Sequence, residues 1–138
     1  MAFYVMRHFE RGVSPEYNTE LTRVGRLHAQ ELYIPDVTRV VSSPFPRCVA
    51  SVREFANSLD EPLRYACALG EFIDNDAHGI ARECPRELKR RVLEFIAADE
   101  SCRDASSGAT LYVTHKSVAE IIAPGEVFDV GRVVRVGS

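Results

Sequence analysis

The stretch Phe3–Gly12, FYVMRHFERG, governs the reading of the chain. Phe3 to Met6 is a short apolar run that suits a buried strand. Arg7, His8, Glu10 and Arg11 follow at once. In open parallel sheets, ligands bind beyond the carboxyl ends of the strands. A first strand that stops in basic and titratable residues has the character of such an end.

Working outward, Gly12 to Glu20 is a loop of turn formers, GVSPEYNTE. The next segment, LTRVGRLHAQELYIP, reads as a helix with Thr22 as N-cap. Its stripe is expected on Leu21, Val24, Leu27, His28 and Glu31, and Pro35 closes it. Arg39 to Ser42 reads as a second strand carrying β-branched Val40 and Val41, stopped by Pro44 and Pro46. RCVASVREFANSLD is a helix with an apolar stripe through Cys48, Val52, Phe55 and Leu59. A third strand is expected over Tyr65 to Leu69, and an irregular segment over Gly70 to Cys84.

A further helix follows over Pro85 to Glu100, with the RELKRR run as its wet face. TLYVTH forms a fourth strand ending at His115, and KSVAEIIA a short helix. EVFDVGRVVRVG supplies a last extended segment or a hairpin. Strands alternating with helices at short spacing predict an α/β domain over residues 1–138, with a mostly parallel sheet and helices on both faces.

The apolar share of 46% is enough for a core in 138 residues, and the net charge of −3 carries no basic block. Nucleic-acid binding by bulk charge is therefore not expected. No apolar run reaches the roughly 18 residues of a membrane span, and MAFYVMRHFE is not built like a signal peptide. Cys48, Cys67, Cys84 and Cys102 form no CxxC pair, so they are read as free thiols in a reducing, cytoplasmic setting. No HExxH spacing, Walker loop or dinucleotide fingerprint is present, and no metal or cofactor is expected.

Strand ends then gather the chemistry. Arg7 and His8 end strand one. Ser42 and Ser43 end strand two, with Arg47 opening the next helix. Thr114 and His115 end strand four. If strand three ends near Leu69, Glu71 joins the same edge. Two arginines, two histidines and helix amino-ends suit a phosphate. Guanidinium groups pair with two oxygens at once, and helix starts add backbone donors. A histidine among arginines is held neutral by like charge and is able to attack phosphorus, forming a phosphohistidine. A carboxylic acid must protonate the leaving oxygen. Glu71 is the nearest candidate, with Asp74, Asp76 and Glu83 as rivals in the same segment. The serines shape the turn rather than attack.

At these residues the chain resembles the histidine phosphatase superfamily, the phosphoglycerate mutase-like family. RHFE stands where that family has Arg-His-Gly and often Glu. Asn18 precedes LTRVGRLHA, SSPFPRC spans Ser42 to Cys48, LGE spans Leu69 to Glu71, and YVTH ends the late strand. The resemblance implies a three-layer α/β/α sandwich. It implies His8 as the phosphorylated nucleophile, Arg7 and Arg47 as a phosphate clamp, and His115 as a second donor. It also implies Glu71 as acid and then base, and Asn18 as a contact to the phosphoryl group or a shaper of its loop. RHFER with SSPFPRC is also similar to the suppressor-of-T-cell-signalling branch.

Two positions depart from the family's pattern. Phe9 replaces the glycine after the nucleophile and is expected to put a ring near the pocket mouth. Lys116 replaces the glycine after the second histidine. The segment between Glu71 and Thr110 is short for the family and holds a helix, so an open, lidless site is expected. Such a site suits a small phosphorylated metabolite or a phosphoprotein side chain, as in the small phosphohistidine phosphatases. It favours hydrolysis over mutase transfer. The rival reading is a catalytically weak module that binds phosphorylated partners.

Overall fold

A computed structural model describes residues 2–12, 21–70, 85–103 and 107–137. Strand β1 spans Phe3–Arg7, β2 Val37–Ser42, β3 Arg64–Tyr65, β4 Ala109–Thr114 and β5 Val133–Val136. Helix α1 spans Arg23–Glu31, α2 Pro46–Asn57, α3 Pro85–Ser101 and α4 Lys116–Ile122. The sheet order is β3-β2-β4-β1-β5, parallel except for β5, which runs antiparallel to β1. The last extended segment is therefore a single edge strand.

Period-two alternation feeds two apolar layers. Met6, Val40, Leu111 and Val113 face one side, where α1 and α2 contribute Ala29, Val52 and Phe55. Val5, Val41 and Tyr112 face the other, where α3 and α4 contribute Val92, Ile96 and Val118. Helices thus cover both faces, giving the expected three-layer α/β/α sandwich. Arg39 is buried within β2. Its guanidinium lies 2.5 Å from Asp99 Oδ2 on α3 and donates to Thr110 Oγ1, so a charge in the sheet is compensated from the neighbouring helix.

Two expectations are corrected. The run Tyr65 to Leu69 is not a strand. β3 keeps only Arg64–Tyr65 and the chain turns into a 3₁₀ turn over Cys67–Leu69. The turn buries Leu69 and lets Thr114 Oγ1 donate to its carbonyl at 2.6 Å. On α1 the apolar stripe is misplaced: Val24 and Leu27 are each 49% exposed, while Gly25 and Ala29 are buried. Small size decides this face. A Cβ on Gly25 would lie 2.3 Å from the carbonyl oxygen of Glu10. Thr22 caps the helix as expected, accepting from the Gly25 amide at 3.1 Å.

Candidate active site

Register brings the strand ends together. Arg7 on β1 pairs with Thr114 on β4, and the His8 amide donates to the Thr114 carbonyl at 3.1 Å. Ser42 on β2 pairs with Val113, and the Ser43 amide donates to the Val113 carbonyl at 2.9 Å. His8, Ser43 and His115 therefore leave three adjacent parallel strands at one level. The two imidazoles meet edge to face with centroids 5.7 Å apart.

The backbone around His8 is held from several elements. The Gly131 amide donates to the His8 carbonyl at 2.9 Å. The Phe9 amide donates to Ser51 Oγ on α2 at 2.9 Å. The His8 ring turns back on its own chain, with Nδ1 2.8 Å from the Phe9 carbonyl oxygen. A carbonyl only accepts, so Nδ1 carries the proton and Nε2 keeps its lone pair.

Arg47 sits in the first turn of α2 after Pro46 and is 4% exposed. Its guanidinium carbon lies 5.3 Å from the centre of the Phe45 ring, and that ring meets His115 at 4.9 Å. One aromatic side chain thus supports a cation and an imidazole together. Arg7 donates from one guanidinium nitrogen to the Phe128 carbonyl at 3.0 Å. Ser43 Oγ lies 3.0 Å from His115 Nε2, and Cys48 Sγ 3.6 Å from the same nitrogen. The hydroxyl read as shaping a turn also touches the second histidine.

Burial pushes the pKa of His8 down to about 4, and the positive charges of Arg47, Arg7 and Arg11 add to the depression; the bond to Phe9 opposes it. Burial likewise takes His115 down to about 2, helped first by Arg47. Both rings are neutral at ordinary pH, and the net positive potential belongs to the guanidinium groups. Arg11 is exposed, and its charge acts on both rings.

His8 is 3% and His115 1% exposed, so openness does not extend to the imidazoles themselves. Phe9 does not stand at the pocket mouth. It is buried in the α1–α2 layer, facing Gly131 and lying 5.9 Å from the His28 ring. Among the described residues no non-glycine residue has positive φ, so phenylalanine meets no backbone strain there. Lys116 is exposed at the start of α4. Asn18 and Glu71 lie outside the described residues, as do Asp74, Asp76 and Glu83. The described chain runs as far as Gly70, which is buried and follows Leu69, the residue bonded to Thr114. Cys48, Cys67 and Cys102 form no disulfide among the described residues, and Cys84 lies outside them. Among the described residues no three His, Cys, Asp or Glu side chains are grouped to hold a metal ion, and no helix is long and apolar enough to cross a membrane.

The architecture is that of the phosphoglycerate mutase-like fold. A protein of Escherichia coli assigned as an alpha-ribazole-5'-P phosphatase superposes with a TM-score of 0.79 at 20% identity. The match covers 99% of this chain and 90% of that one. YhfR of Bacillus stearothermophilus gives 0.77 at 17% identity, covering 99% and 90%. The protein histidine phosphatase SixA, solved with tungstate, gives 0.65 at 20% identity, covering 99% and 88%. No protein-family model matches the sequence, and no curated protein matches it.

Proposed function

We propose that this chain is a metal-independent phosphatase that hydrolyses a phosphomonoester or phosphoramidate through a phosphohistidine on His8. The observation that carries the reading is the His8 ring. It is neutral, with its proton held on Nδ1 by the Phe9 carbonyl, and it lies within the electrostatic reach of Arg7 and Arg47. A nucleophilic imidazole needs a free lone pair, and that geometry leaves one on Nε2.

In the first step the Nε2 lone pair forms an N–P bond while the bond from phosphorus to the leaving oxygen or nitrogen breaks. Glu71 supplies the proton that the leaving atom takes up. Arg7 and Arg47 hold the equatorial oxygens, and the amino-end of α2 adds positive potential. His115, neutral, donates an N–H to the same oxygens, and Asn18 contacts the phosphoryl group. In the second step water attacks phosphorus and gives a proton to Glu71. The N–P bond breaks, returning its electron pair to Nε2. Placement of Glu71 is supported by its neighbours: Gly70 is buried, and Leu69 is bonded to the strand end that carries His115.

The substrate class is a small phosphorylated metabolite or a phosphorylated protein side chain. SixA is a protein histidine phosphatase, and the Escherichia coli neighbour is assigned to a small phosphorylated metabolite, so the neighbours support either. The test is hydrolysis of an aryl phosphate by wild type and His8→Ala, with acid-labile phosphoenzyme trapped and mapped. Turnover and a trapped phosphoryl group in wild type, both lost in the variant, are expected. Equal and negligible rates would sink the proposal and favour the phosphate-binding module.

A further inference from the structure

We propose that Ser51 is a positioning residue of this site, a strut whose hydroxyl ties the peptide beside His8 to the helical turn that carries Arg47. The inference rests on the phosphatase reading and adds a residue to it. Ser51 is fully buried on α2, one turn after Arg47. Its Oγ donates to the Arg47 carbonyl at 2.7 Å and accepts from the Phe9 amide at 2.9 Å. The hydroxyl has a single proton, so these two bonds have fixed directions.

A helical serine commonly bonds the carbonyl four residues back and gains little by it. Here the same oxygen reaches across to another element. It captures the N–H of the peptide joining His8 to Phe9. The other end of that peptide, the His8 carbonyl, is taken by the Gly131 amide at 2.9 Å. With both ends held, this peptide resists rotation, and it leads directly into Phe9, whose carbonyl lies 2.8 Å from His8 Nδ1. The strut therefore acts on two things. It holds the tautomer-setting acceptor in place, and it sets the spacing between the attacking ring and the first turn of α2.

Without the hydroxyl, the Phe9 N–H is left as a buried donor without that acceptor, and the peptide gains freedom to tilt. Attack geometry is sensitive to this: an error of about 1 Å costs about 10²-fold in rate. The arginine side chains remain, so affinity for the oxyanion is expected to change much less than the rate.

The experiment compares wild type with Ser51→Ala, Ser51→Cys and Ser51→Thr, each corrected for folded fraction by circular dichroism. For Ser51→Ala we expect kcat on an aryl phosphate to fall about 10- to 100-fold, with KM and the inhibition constant of inorganic phosphate within about threefold. Ser51→Thr restores the rate because it keeps the hydroxyl. Ser51→Cys, a weak hydrogen bonder of similar size, lies between and replaces the alanine variant should that one not fold. A kcat for Ser51→Ala within about threefold of wild type, or equal loss in the alanine and threonine variants, overturns the strut.

A second readout is the His8 Nδ1 proton in ¹⁵N-edited spectra. Faster solvent exchange in Ser51→Ala, restored in Ser51→Thr, supports the strut. Equal exchange in all proteins overturns it. This arm separates the two ideas. If wild type shows no turnover, the phosphatase reading fails, and the proton alone decides whether Ser51 positions His8.

Discussion

His8 Nδ1 lies 2.8 Å from the carbonyl oxygen of Phe9, so the ring is oriented by the residue that follows it in the chain. The contact is local and forms wherever the chain turns this way. What makes it specific is the company of that turn: the Thr114 carbonyl, the Ser51 hydroxyl and the Gly131 amide, each from a different element. Burial lowers the basicity of the ring most; the bond to Phe9 opposes it, and three arginine charges lower it further.

The first prediction concerns rate against pH. In the proposed reaction the attacking form of His8 is neutral, and its pKa is lowered to about 4. The acid limb of kcat/KM that belongs to free His8, after correction for substrate ionisation, is expected near pH 4 rather than near pH 6.5. A limb at 6.5 that vanishes on altering His8 would refute this.

Stability should share that dependence. In the unfolded chain His8 takes a proton near pH 6.5, whereas in the folded chain it stays neutral until about pH 4. Between those values the unfolded state binds more protons, so stability falls as the pH is lowered through this window. His8 accounts for about 3 kcal/mol of that loss, and His115 acts in the same direction over a wider range reaching toward pH 2. Urea unfolding at pH 7.5 and pH 4 should show His8→Asn keeping more of its neutral-pH stability than wild type does. Identical losses in the two proteins would refute it.

The strand ends were legible in sequence because a β-branched or apolar run stops at polar residues, and parallel pairing then sets those stops side by side. Arg7, His8, Arg47 and His115 follow from that rule, and the structure brings their segments to one edge. The α1 stripe was not legible. Gly25 and Ala29 are poor in apolar surface, yet both face inward, and at Gly25 only glycine lets α1 approach the Glu10 carbonyl. The end of β3 was hidden too, since Ala66 to Leu69 is as apolar as a strand but is bonded as a turn. Ser51, Phe45 and the inward turn of Phe9 depend on contacts between distant elements, and a polar residue in an apolar helix stripe is the only sequence sign that Ser51 gives.

Arg47→Lys should weaken phosphate binding. The buried guanidinium offers a planar fork and lies against Phe45, and a lysine ammonium reproduces neither feature. A rise of about tenfold in the inhibition constant of inorganic phosphate is expected, with the thermal midpoint little changed. Calorimetric titration of phosphate checks it, and an unchanged affinity would remove Arg47 from the proposed clamp.

Gly131→Ala should destabilise the fold by about 1–3 kcal/mol. Gly131 has φ of +76°, and an added Cβ would lie 2.5 Å from Phe9 Cδ1. Phe9 is itself buried, so relief of the clash disturbs the loop after β1. Chemical denaturation reads the cost. A neutral substitution would mean that Phe9 is free to move aside.

The sheet order carries a consequence for how the molecule is made. β4 lies between β1 and β2, and both pair with it rather than with each other. Among the described strands it is also the last parallel one to be synthesised, beginning only at Ala109. During synthesis β1 and β2 emerge with no partner between them, exposing edges that invite aggregation until the gap is filled. Contacts this distant in sequence make folding slow. Nascent chains released before residue 114 should therefore depend on chaperones, and the edge that carries His8 and His115 forms only once β4 has emerged.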